Sequence, residues 1–597
     1  MSDLPSIHRA DVVIVGGTPG GIAAAVAAAR LGRSVILLDR TTNIGGLVAN
    51  GLGATDIETR GATGGFFMEF TRRIRACYAK TYGEDSQQVI DSSDGYHFEP
   101  SVAEKVLETI LSEYPKIIAR KEMQFDSFPE NVTLSGTLIT EIRILNRVTS
   151  ETERFAARVF IDATYEGDLA AAAGAPYRLG REDQREFNEP MAGQIYKTWN
   201  GDIGAGTTGR GDNAIQSYNY RLPLTKVAEN RVPITQPAGY NREEYASLVD
   251  DVKLDRHAGR YDLPHAEYFW DGIGKIVNIV HVPNGKTDSN NQHKSFISTD
   301  LPEENWPWPT ASWEWRDAYS LRLRRYIEGL LWFAQNDPEL PADFRAKCSE
   351  WGYCKDEYLD NGHFPRQVYV REGRRIMGEH LFTGLDALPT TPGGRPPIYA
   401  DAITTSHYAL DSHPVRKRET GRVHLEGMLS KRAEPYTVPY GTIVPKDVDG
   451  LLVPVAASCT HIGFSTLRME PCWMALGEAA GAAASLSISE EVDVRDLEVT
   501  GLQRELLRNG AVLYYFKDVH ADEAVQMLGL RGLLPEWKAN LDVPVSTAEA
   551  KRWTEALLVP GGAQPPLNQT RGEYLRSLWE LSNSDAELDH KLEMSLK

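Results

Sequence analysis

Residues Asp11-Val-Val-Ile-Val-Gly16-Gly-Thr-Pro-Gly-Gly21 begin as a short β-rich apolar run and lead directly into a cluster of glycines. The small-residue segment from Ile22 to Arg30 follows at once. This order predicts a strand, a tight turn and a helix. Gly16 lets the backbone turn sharply, and Gly21 lets the helix pack close to the strand, so that free N–H groups at the helix start face a pyrophosphate. The stretch therefore predicts the anion site of a dinucleotide.

A second apolar run, Ser34-Val-Ile-Leu-Leu38, ends in Asp39, twenty-three positions after Gly16. A carboxylate at that spacing can accept hydrogen bonds from the ribose of an adenosine. Thr18 occupies the middle glycine position of the GxGxxG pattern, so the backbone there approaches the pyrophosphate less closely. The predicted dinucleotide-binding residues of this segment are Gly16, Gly17, Thr18, Pro19, Gly20, Gly21 and Asp39.

The sequence contains a second match to the same pattern, Gly204-Ala-Gly-Thr-Thr-Gly209. It follows the polar segment Lys197 to Asp202 instead of a strand, and it precedes Arg210-Gly-Asp-Asn213 instead of a helix. A glycine cluster binds a dinucleotide only in a strand–turn–helix context. We therefore predict no second dinucleotide fold, which argues against an enzyme with its own complete NADPH domain.

The totals restrict the class of protein and its partners. A chain of 597 residues is long enough for two or three structural units. Its formal net charge of -19 disfavours binding to nucleic acid or to anionic lipid, so we expect a small-molecule substrate. No run of about 18 apolar residues and no signal peptide is recognisable, and the five cysteines form no CxxC pair. These features predict a cytoplasmic protein without a metal site.

The segment after the second strand, Arg40-Thr-Thr-Asn-Ile-Gly-Gly-Leu47, resembles the flavoprotein superfamily of the glutathione-reductase fold. In that superfamily the paired glycines let backbone amides approach the flavin side of FAD. Ala157-Arg-Val-Phe-Ile-Asp-Ala-Thr164 resembles the second strand motif of the superfamily, with Tyr165 in place of its usual glycine. The resemblance implies FAD as the cofactor and adds the following binding residues: Arg40, Gly45, Gly46, Leu47, Ala163 and Thr164.

Three longer strings narrow the resemblance: Asp162 to Arg181, Val370 to His380, and Leu451 to Gly477. Together they resemble a little-characterised FAD-dependent oxidoreductase family that is sometimes labelled xanthan-lyase-like, and the match spans about residues 10 to 560. This resemblance implies a fold and a cofactor, but it does not fix a substrate.

The implied architecture is α/β. We expect a glutathione-reductase-like Rossmann FAD-binding domain in residues 1–184 and 436–490, with an inserted α+β substrate-facing domain in residues 185–435. The charged, helical residues 491–597 predict a small C-terminal unit. Packing within the chain and contact in a homodimer are both open as its role.

The end of the returning segment predicts a strand from Leu451 to Ala456 and a small-residue helix from about Met469 to Leu486, with Pro471 in its first turn. In the superfamily, this helix directs its N-terminus at the flavin pyrimidine. A positive helix end would stabilise the negative charge that develops on N1 and O2 during reduction. An ordinary core helix would have the same composition.

Two residues are candidates for catalysis. His461, just beyond the predicted strand, could take a proton while hydride leaves the substrate for flavin N5. Arg468 could bind flavin O2 or a substrate carboxylate, and an ion pair with Glu470 or another acid is the alternative. Weaker candidates for substrate contact are Asn219, Arg221, His407 and His413.

The function that this reading predicts is oxidation of a small organic metabolite by hydride transfer to flavin N5, with oxygen or another molecule as the electron acceptor. Two alternatives remain open. One is a flavin-dependent monooxygenase that uses an external reductant, and the other is a flavin-binding component without turnover.

Overall fold

The computed structural model describes residues 7–196, 203–256, 272–419, 425–519, 522–557 and 569–583. The strands are β1 (Ile7–Arg9), β2 (Val12–Val15), β3 (Val35–Leu38), β4 (Ile117–Arg120), β5 (Met123–Gln124), β6 (Val132–Ser135), β7 (Leu138–Asn146), β8 (Glu151–Ala156), β9 (Val159–Asp162), β10 (Tyr177–Arg178), β11 (Leu224–Thr225), β12 (Arg231–Val232), β13 (Val277–Val282), β14 (Lys286–Asn291), β15 (Gly352–Cys354), β16 (Arg375–Ile376), β17 (Ala402–Ser406), β18 (Leu410–Ser412), β19 (Leu429–Lys431), β20 (Tyr436–Pro439) and β21 (Leu451–Leu452). The α-helices are α1 (Pro19–Arg30), α2 (Gly46–Asn50), α3 (Gly65–Tyr82), α4 (Gln87–Asp91), α5 (Pro100–Ser112), α6 (Asp168–Ala172), α7 (Ser247–Lys253), α8 (Trp313–Asn336), α9 (Ala342–Cys348), α10 (His461–Leu467), α11 (Glu470–Glu490), α12 (Val499–Arg508), α13 (Glu523–Leu530), α14 (Thr547–Ala556) and α15 (Arg571–Asn583).

A parallel sheet with the strand order β21-β9-β2-β3-β4 lies at the centre of the nucleotide-binding part. Every residue of β2, β3 and β9 is buried, which explains their nearly continuous apolar sequences, because both faces of such a sheet are covered. Helix α1 is the crossover between β2 and β3. The predicted mixed α/β fold with a Rossmann-like parallel sheet is confirmed.

Helices α1 and α11 pack along each other at glycine contacts. A Cβ atom added to Gly477 would lie 2.0 Å from the carbonyl oxygen of Gly20, and one added to Gly481 would lie 2.1 Å from that of Ala24. Only residues without a side chain allow the two backbones to approach this closely. The packing brings the start of α11 next to the glycine turn that precedes α1.

Two predicted boundaries differ from the structure. The predicted strand from Leu451 ends at Leu452 instead of Ala456, because Pro454 cannot donate a ladder hydrogen bond. The predicted helix begins at Glu470 and continues to Glu490, with Pro471 in its first turn as expected.

Two further five-stranded sheets lie outside the parallel one. Strands β1, β8, β7 and β5 form one path, with β6 paired to β7. The other has the order β12-β15-β11-β14-β13 and is antiparallel. Its strands and the long helix α8 come from the stretch between residues 224 and 354, within the predicted substrate-facing part.

The C-terminal stretch contributes helices α12 to α15, and its described residues after 491 include no strand. Helix α14 begins with a capping box, in which Ser546 and Glu549 each bond the other's backbone nitrogen. Described residues 203–223, which include the second glycine cluster, contain no helix. Within the described residues, no helix has the length and apolar character of a membrane span.

Candidate functional site

The first glycine cluster forms a turn that joins β2, α1 and the end of β9. Gly16 has a φ of +107°, and a Cβ atom there would lie 2.6 Å from the carbonyl carbon of Ala163. A Cβ atom on Gly21 would lie 2.0 Å from the carbonyl oxygen of Gly16. Both positions therefore need glycine, as the sequence predicts.

Thr18 caps helix α1. Its hydroxyl accepts a hydrogen bond from the Gly21 backbone nitrogen at 3.1 Å and donates one to the Ala163 carbonyl at 2.8 Å. The sequence predicts Thr18 as a dinucleotide-binding residue and as a departure from the glycine pattern, but this capping role was missed. The preference of helix N-caps for threonine could have indicated it.

Asp39 lies at the end of β3, beside the glycine turn. Its carboxylate accepts hydrogen bonds from the Gly17 backbone nitrogen at 2.7 Å and from the backbone nitrogen and hydroxyl of Thr41 at 2.7 and 2.6 Å. Burial raises the pKa of Asp39, although these hydrogen bonds oppose the shift.

A cleft that is partly open to solvent runs along the carboxyl ends of the parallel strands. This is where open α/β sheets bind ligands. The predicted binding residues that line it are Gly16, Thr18, Asp39, Arg40, Gly46 and Thr164.

Helix α8 supplies the opposite wall of the cleft, which the sequence did not indicate. The Arg40 guanidinium stacks on the Trp313 ring at 4.2 Å and contacts the Asp317 carboxylate at 2.6 Å. Trp308 lines the cleft beside them. The tryptophans of this region were assigned no role from the sequence, because nothing in their spacing links them to the distant β3.

Tyr165 joins the cleft to the start of α11. Its hydroxyl donates to a carboxylate oxygen of Glu470 at 2.6 Å and accepts from the Leu47 backbone nitrogen at 2.9 Å. The resemblance implied that the amides of Gly45 to Leu47 approach the flavin. The Leu47 amide instead bonds to Tyr165, because this residue replaces the glycine of the related motif and its side chain reaches across.

Three buried polar atoms at the start of α11 have no hydrogen-bond partner among the described residues: Arg468 Nε, Glu470 Oε2 and Trp473 Nε1. Buried polar atoms are normally satisfied, so these atoms indicate a missing polar ligand. Burial raises the pKa of Glu470 to about 8, so its carboxyl group is largely protonated at neutral pH and can donate a hydrogen bond.

Arg468 is held at the α10–α11 junction by two partners. Its Nη1 donates to the Tyr369 hydroxyl at 2.8 Å, and its Nη2 donates to the Asp411 carbonyl at 2.9 Å and lies 3.5 Å from the Asp411 carboxylate. The sequence predicted an ion pair of Arg468 with Glu470 or with another acid. In the structure the acid is Asp411.

His461 is buried at the start of α10, and both ring nitrogens have partners. Nδ1 contacts the Glu372 carboxylate at 2.9 Å, and Nε2 lies 3.2 Å from the Ser412 hydroxyl. Burial, together with the positive charges of Arg375 and Arg181, lowers the pKa of His461 to about 3. The imidazole is therefore neutral at physiological pH, and the Ser412 hydroxyl is the hydrogen-bond partner of its Nε2.

The weaker candidates separate into two places. Arg221 pairs with Asp56 at 2.8 Å and with Asp288 at 2.7 Å. The Asn219 carbonyl accepts from the Tyr369 backbone nitrogen at 2.8 Å, so both residues belong to the surroundings of Arg468. The imidazole of His407 instead contacts Thr59, the Ala433 carbonyl and the Glu58 carboxylate.

His413 also belongs to the surroundings of Arg468, because its ring nitrogens face the carboxylates of Asp300 at 3.0 Å and Asp411 at 3.2 Å. Among the described residues, no group of three or more His, Cys, Asp or Glu side chains is arranged to hold a metal ion.

Residues 11–506 match the model of a protein family described as FAD dependent oxidoreductase. The chain belongs to this family. The predictions of an enzyme, an oxidoreductase and FAD as its cofactor are thereby confirmed. No curated protein matches the sequence of this oxidoreductase.

Solved structures with a partial likeness include two dehydrogenases and a monooxygenase. The 3-ketosteroid-Δ4-(5α)-dehydrogenase of Rhodococcus jostii RHA1 is 16% identical, with 29% of this chain and 51% of that chain covered and a TM-score of 0.19. The FAD complex of glycerol-3-phosphate dehydrogenase from Bacillus halodurans is 10% identical, with coverages of 33% and 44% and a TM-score of 0.21. The p-nitrophenol 4-monooxygenase of Pseudomonas putida DLL-E4 is 12% identical, with coverages of 30% and 46% and a TM-score of 0.19.

The oxidoreductase thus aligns with about half or less of the length of these three proteins, and the low TM-scores carry no argument about its reaction. The residues of the cleft fit FAD. The turn at Gly16 and the N-terminus of α1 suit a pyrophosphate, and Asp39 suits a ribose. The unpartnered atoms of Glu470 and Trp473 suit the polar edge of a flavin.

Proposed function

We propose that this FAD-dependent oxidoreductase oxidises a small organic metabolite and passes the electrons to oxygen or another acceptor. The observation that carries the proposal is the set of unpartnered buried atoms at the start of α11, next to the glycine turn that begins the dinucleotide cleft. Bound FAD supplies the hydride acceptor, flavin N5. The chain's own residues must bind the cofactor, orient the substrate and take up a proton.

The proposed FAD-binding residues form two groups. The turn from Gly16 to Gly21 and the carboxylate of Asp39 hold the adenosine and pyrophosphate end, with the Arg40 guanidinium alongside. Gly45, Gly46, Leu47, Ala163 and Thr164 form the adjoining wall. At the other end, the positive N-terminus of α11 and the Arg468 guanidinium would lie beside the flavin pyrimidine and would stabilise negative charge there.

We propose that His461 receives the substrate proton. The Ser412 hydroxyl would pass this proton on, by donating its own proton to His461 Nε2 and taking up the one from the substrate. The support is geometric: Nε2 lies 3.2 Å from that hydroxyl, while Glu372 fixes the opposite side of the ring and would stabilise the imidazolium that forms. Arg468, one residue beyond the end of α10, is the proposed partner for negative charge on the flavin or on the substrate.

The finer family placement and the division of the chain are also proposals. We assign the chain to the glutathione-reductase-like superfamily, in the group sometimes labelled xanthan-lyase-like. The pairing of β21 with β9 supports an FAD-binding domain composed of residues 1–184 and 436–490. Residues 185–435 would be the inserted substrate-facing domain, and residues 491–597 a C-terminal helical unit that packs on the chain or contacts a second copy.

An anaerobic absorption spectrum of the holoenzyme, before and after addition of alcohols, amines and carboxylic acids, tests this function. Bleaching of the flavin band by one compound, followed by recovery with air or another acceptor, is the expected result. Reduction by NADPH alone, or NADPH consumption that a substrate stimulates, would instead indicate a monooxygenase. A flavin that no organic compound and no reductant of this kind alters would contradict both reactions.

A further inference from the structure

Five side chains from separate segments meet around the ring of Tyr369: Asp56, Arg221, Tyr369 itself, Asp411 and Arg468. We call this group the Tyr369 junction. The guanidinium carbons of Arg221 and Arg468 lie 5.8 and 5.7 Å from the ring centroid, and that of Arg371 lies 4.8 Å away. The segments include the loop after α2, strand β18 and the α10–α11 junction, which also borders the proposed flavin end.

The two carboxylates of the junction keep some open surface although their partners are buried. The side chains of Asp56 and Asp411 are 22% and 20% exposed, whereas those of Arg221 and Arg468 are 2% and 1% exposed. Each carboxylate therefore has room for an additional hydrogen-bond donor beside the guanidinium that it already contacts.

Unpartnered polar atoms lie on Arg468 of this junction and on Asn219, whose backbone carbonyl accepts from the Tyr369 backbone nitrogen. Nε of Arg468 has no partner among the described residues, and it sits next to Nη2, which contacts Asp411. The side-chain oxygen of Asn219 is likewise unpartnered and buried, although its amide nitrogen donates to Asn290 at 3.0 Å. This buried donor and this buried acceptor are therefore available to a ligand that can both accept and donate hydrogen bonds.

The charges of this region are already matched to one another. Arg221 pairs with Asp56 and Asp288, Arg468 with Asp411, and Arg371 with Asp300. The two ring nitrogens of His413 also face Asp300 and Asp411. Each guanidinium and each of these four carboxylates thus already has an oppositely charged partner, so an ionic substrate would have to displace an ion pair that is already formed.

We infer that the Tyr369 junction binds a neutral, hydroxyl-rich substrate, of the sugar or polyol class, through the carboxylates of Asp56 and Asp411 and the guanidinium of Arg468. Hydroxyl groups donate to carboxylates and accept from Arg Nε, and they carry no charge that must be desolvated unpaired. The inference rests on the proposed function, because it names the substrate class of that same reaction.

The test uses the FAD-loaded enzyme with D-glucose and myo-inositol as neutral polyols, L-lactate as an anion and benzylamine as a cation. We expect a neutral polyol to reduce the flavin anaerobically. Asp411→Asn should raise the concentration for half-maximal reduction at least tenfold, because the amide nitrogen cannot accept a substrate hydroxyl. Asp343→Asn, an exposed position on α9, is the matched control and should leave this concentration unchanged.

A binding measurement without turnover separates recognition from chemistry. Calorimetric titration of the dithionite-reduced enzyme with the same polyol should show binding that Asp411→Asn and Asp56→Asn both weaken. Flavin reduction by L-lactate or benzylamine, with no reduction by either polyol, would overturn the inference while the proposed oxidation stands. Reduction by NADPH alone would overturn the proposed function itself. Polyol binding that neither Asp variant weakens would overturn the assignment of the junction.

Discussion

The hydroxyl of Tyr165 lies 2.6 Å from the carboxylate of Glu470 and joins the end of β9 to the first turn of α11. The same hydroxyl accepts a hydrogen bond from the Leu47 amide at the start of α2. One side chain therefore fixes three segments that surround the proposed flavin end of the cleft. A glycine at this position, as in the related motif, could not do so.

We predict that Tyr165→Phe weakens FAD binding about tenfold, because the Leu47 amide and Glu470 both lose a partner and the three segments are no longer held together. Titration of the apoprotein with FAD measures this change. Tyr440→Phe is the control, since Tyr440 donates to the Val494 carbonyl at 2.7 Å and is not in the cleft. Equal affinities for Tyr165→Phe and the wild type would show that the hydroxyl is not needed for the site.

Thr18 makes a second prediction possible. Thr18→Val keeps the shape of the side chain but removes the cap on α1 and the bond to Ala163, so the free energy of unfolding should fall by about 1–2 kcal/mol. Thr18→Ser retains both bonds and should remain close to the wild type. Chemical denaturation of the apoproteins gives the comparison, and a Val variant as stable as the Ser variant would argue against the cap.

Much of the nucleotide-binding half could be predicted from the sequence. The strand, turn and helix from Asp11 to Arg30 are local in the chain, and their residue types directly reflect a buried strand and a close helix contact. The position of Asp39 beside the glycine turn could be predicted from its spacing of twenty-three positions after Gly16. Arg221 and Arg468 were selected individually, and the structure brings both to the ring of Tyr369.

The remaining features depend on contacts between distant segments. Trp313 meets Arg40 across more than 270 positions of sequence, and Asp411 reaches Arg468 from strand β18. No periodicity or spacing encodes such pairs, because they arise only when separate elements pack. The partners of His461 and His407 could not be predicted for the same reason, although both residue types attracted attention.

Glu478 predicts a pH dependence of stability. Burial raises its pKa to about 7, so the folded chain keeps a proton that the unfolded chain loses above about pH 4.5. The contribution of this group to stability is therefore full at low pH and is lost as the pH rises to about 7. Glu478→Gln removes the loss, because an amide oxygen can still accept from the Phe66 nitrogen that Glu478 contacts at 2.9 Å.

The measurement is the free energy of unfolding of the apoprotein at about pH 5 and about pH 8. Between about pH 5 and about pH 8, the free energy of unfolding of Glu478→Gln should rise by about 2.5 kcal/mol relative to that of the wild type. Glu490→Gln, at the exposed end of the same helix, is the matched control. A variant whose difference from the wild type is the same at both pH values would show that Glu478 is ionised throughout.

For His461 we predict that His461→Ala leaves FAD bound but slows substrate-dependent flavin reduction by about a hundredfold or more. Ser412→Ala should slow it too if the hydroxyl connects the substrate to Nε2. Stopped-flow reduction under anaerobic conditions measures both rates. An unchanged reduction rate in His461→Ala would show that His461 takes no part in the reaction. A reduced rate in His461→Ala together with an unchanged rate in Ser412→Ala would show that the Ser412 hydroxyl does not carry the proton.

The reduction rate should also stay insensitive to His461 protonation across the neutral range. The pKa of this residue is lowered to about 3, so the imidazole is unprotonated at every pH well above that value. The pH profile of flavin reduction measures this. A decline in rate with a midpoint near pH 6.5, the ordinary value for histidine, that disappears in His461→Ala would contradict the assignment.

The central claim is that the cleft beside the first glycine turn holds FAD, and titration of the apoprotein with FAD tests it most directly. We expect tight binding by the wild type and by Gly204→Ala, in the second glycine cluster. Gly16→Ala should lose binding while circular dichroism still shows a folded chain, because its Cβ atom would lie 2.6 Å from Ala163. Absence of FAD binding by the wild type, or its loss in Gly204→Ala instead of Gly16→Ala, would contradict the account.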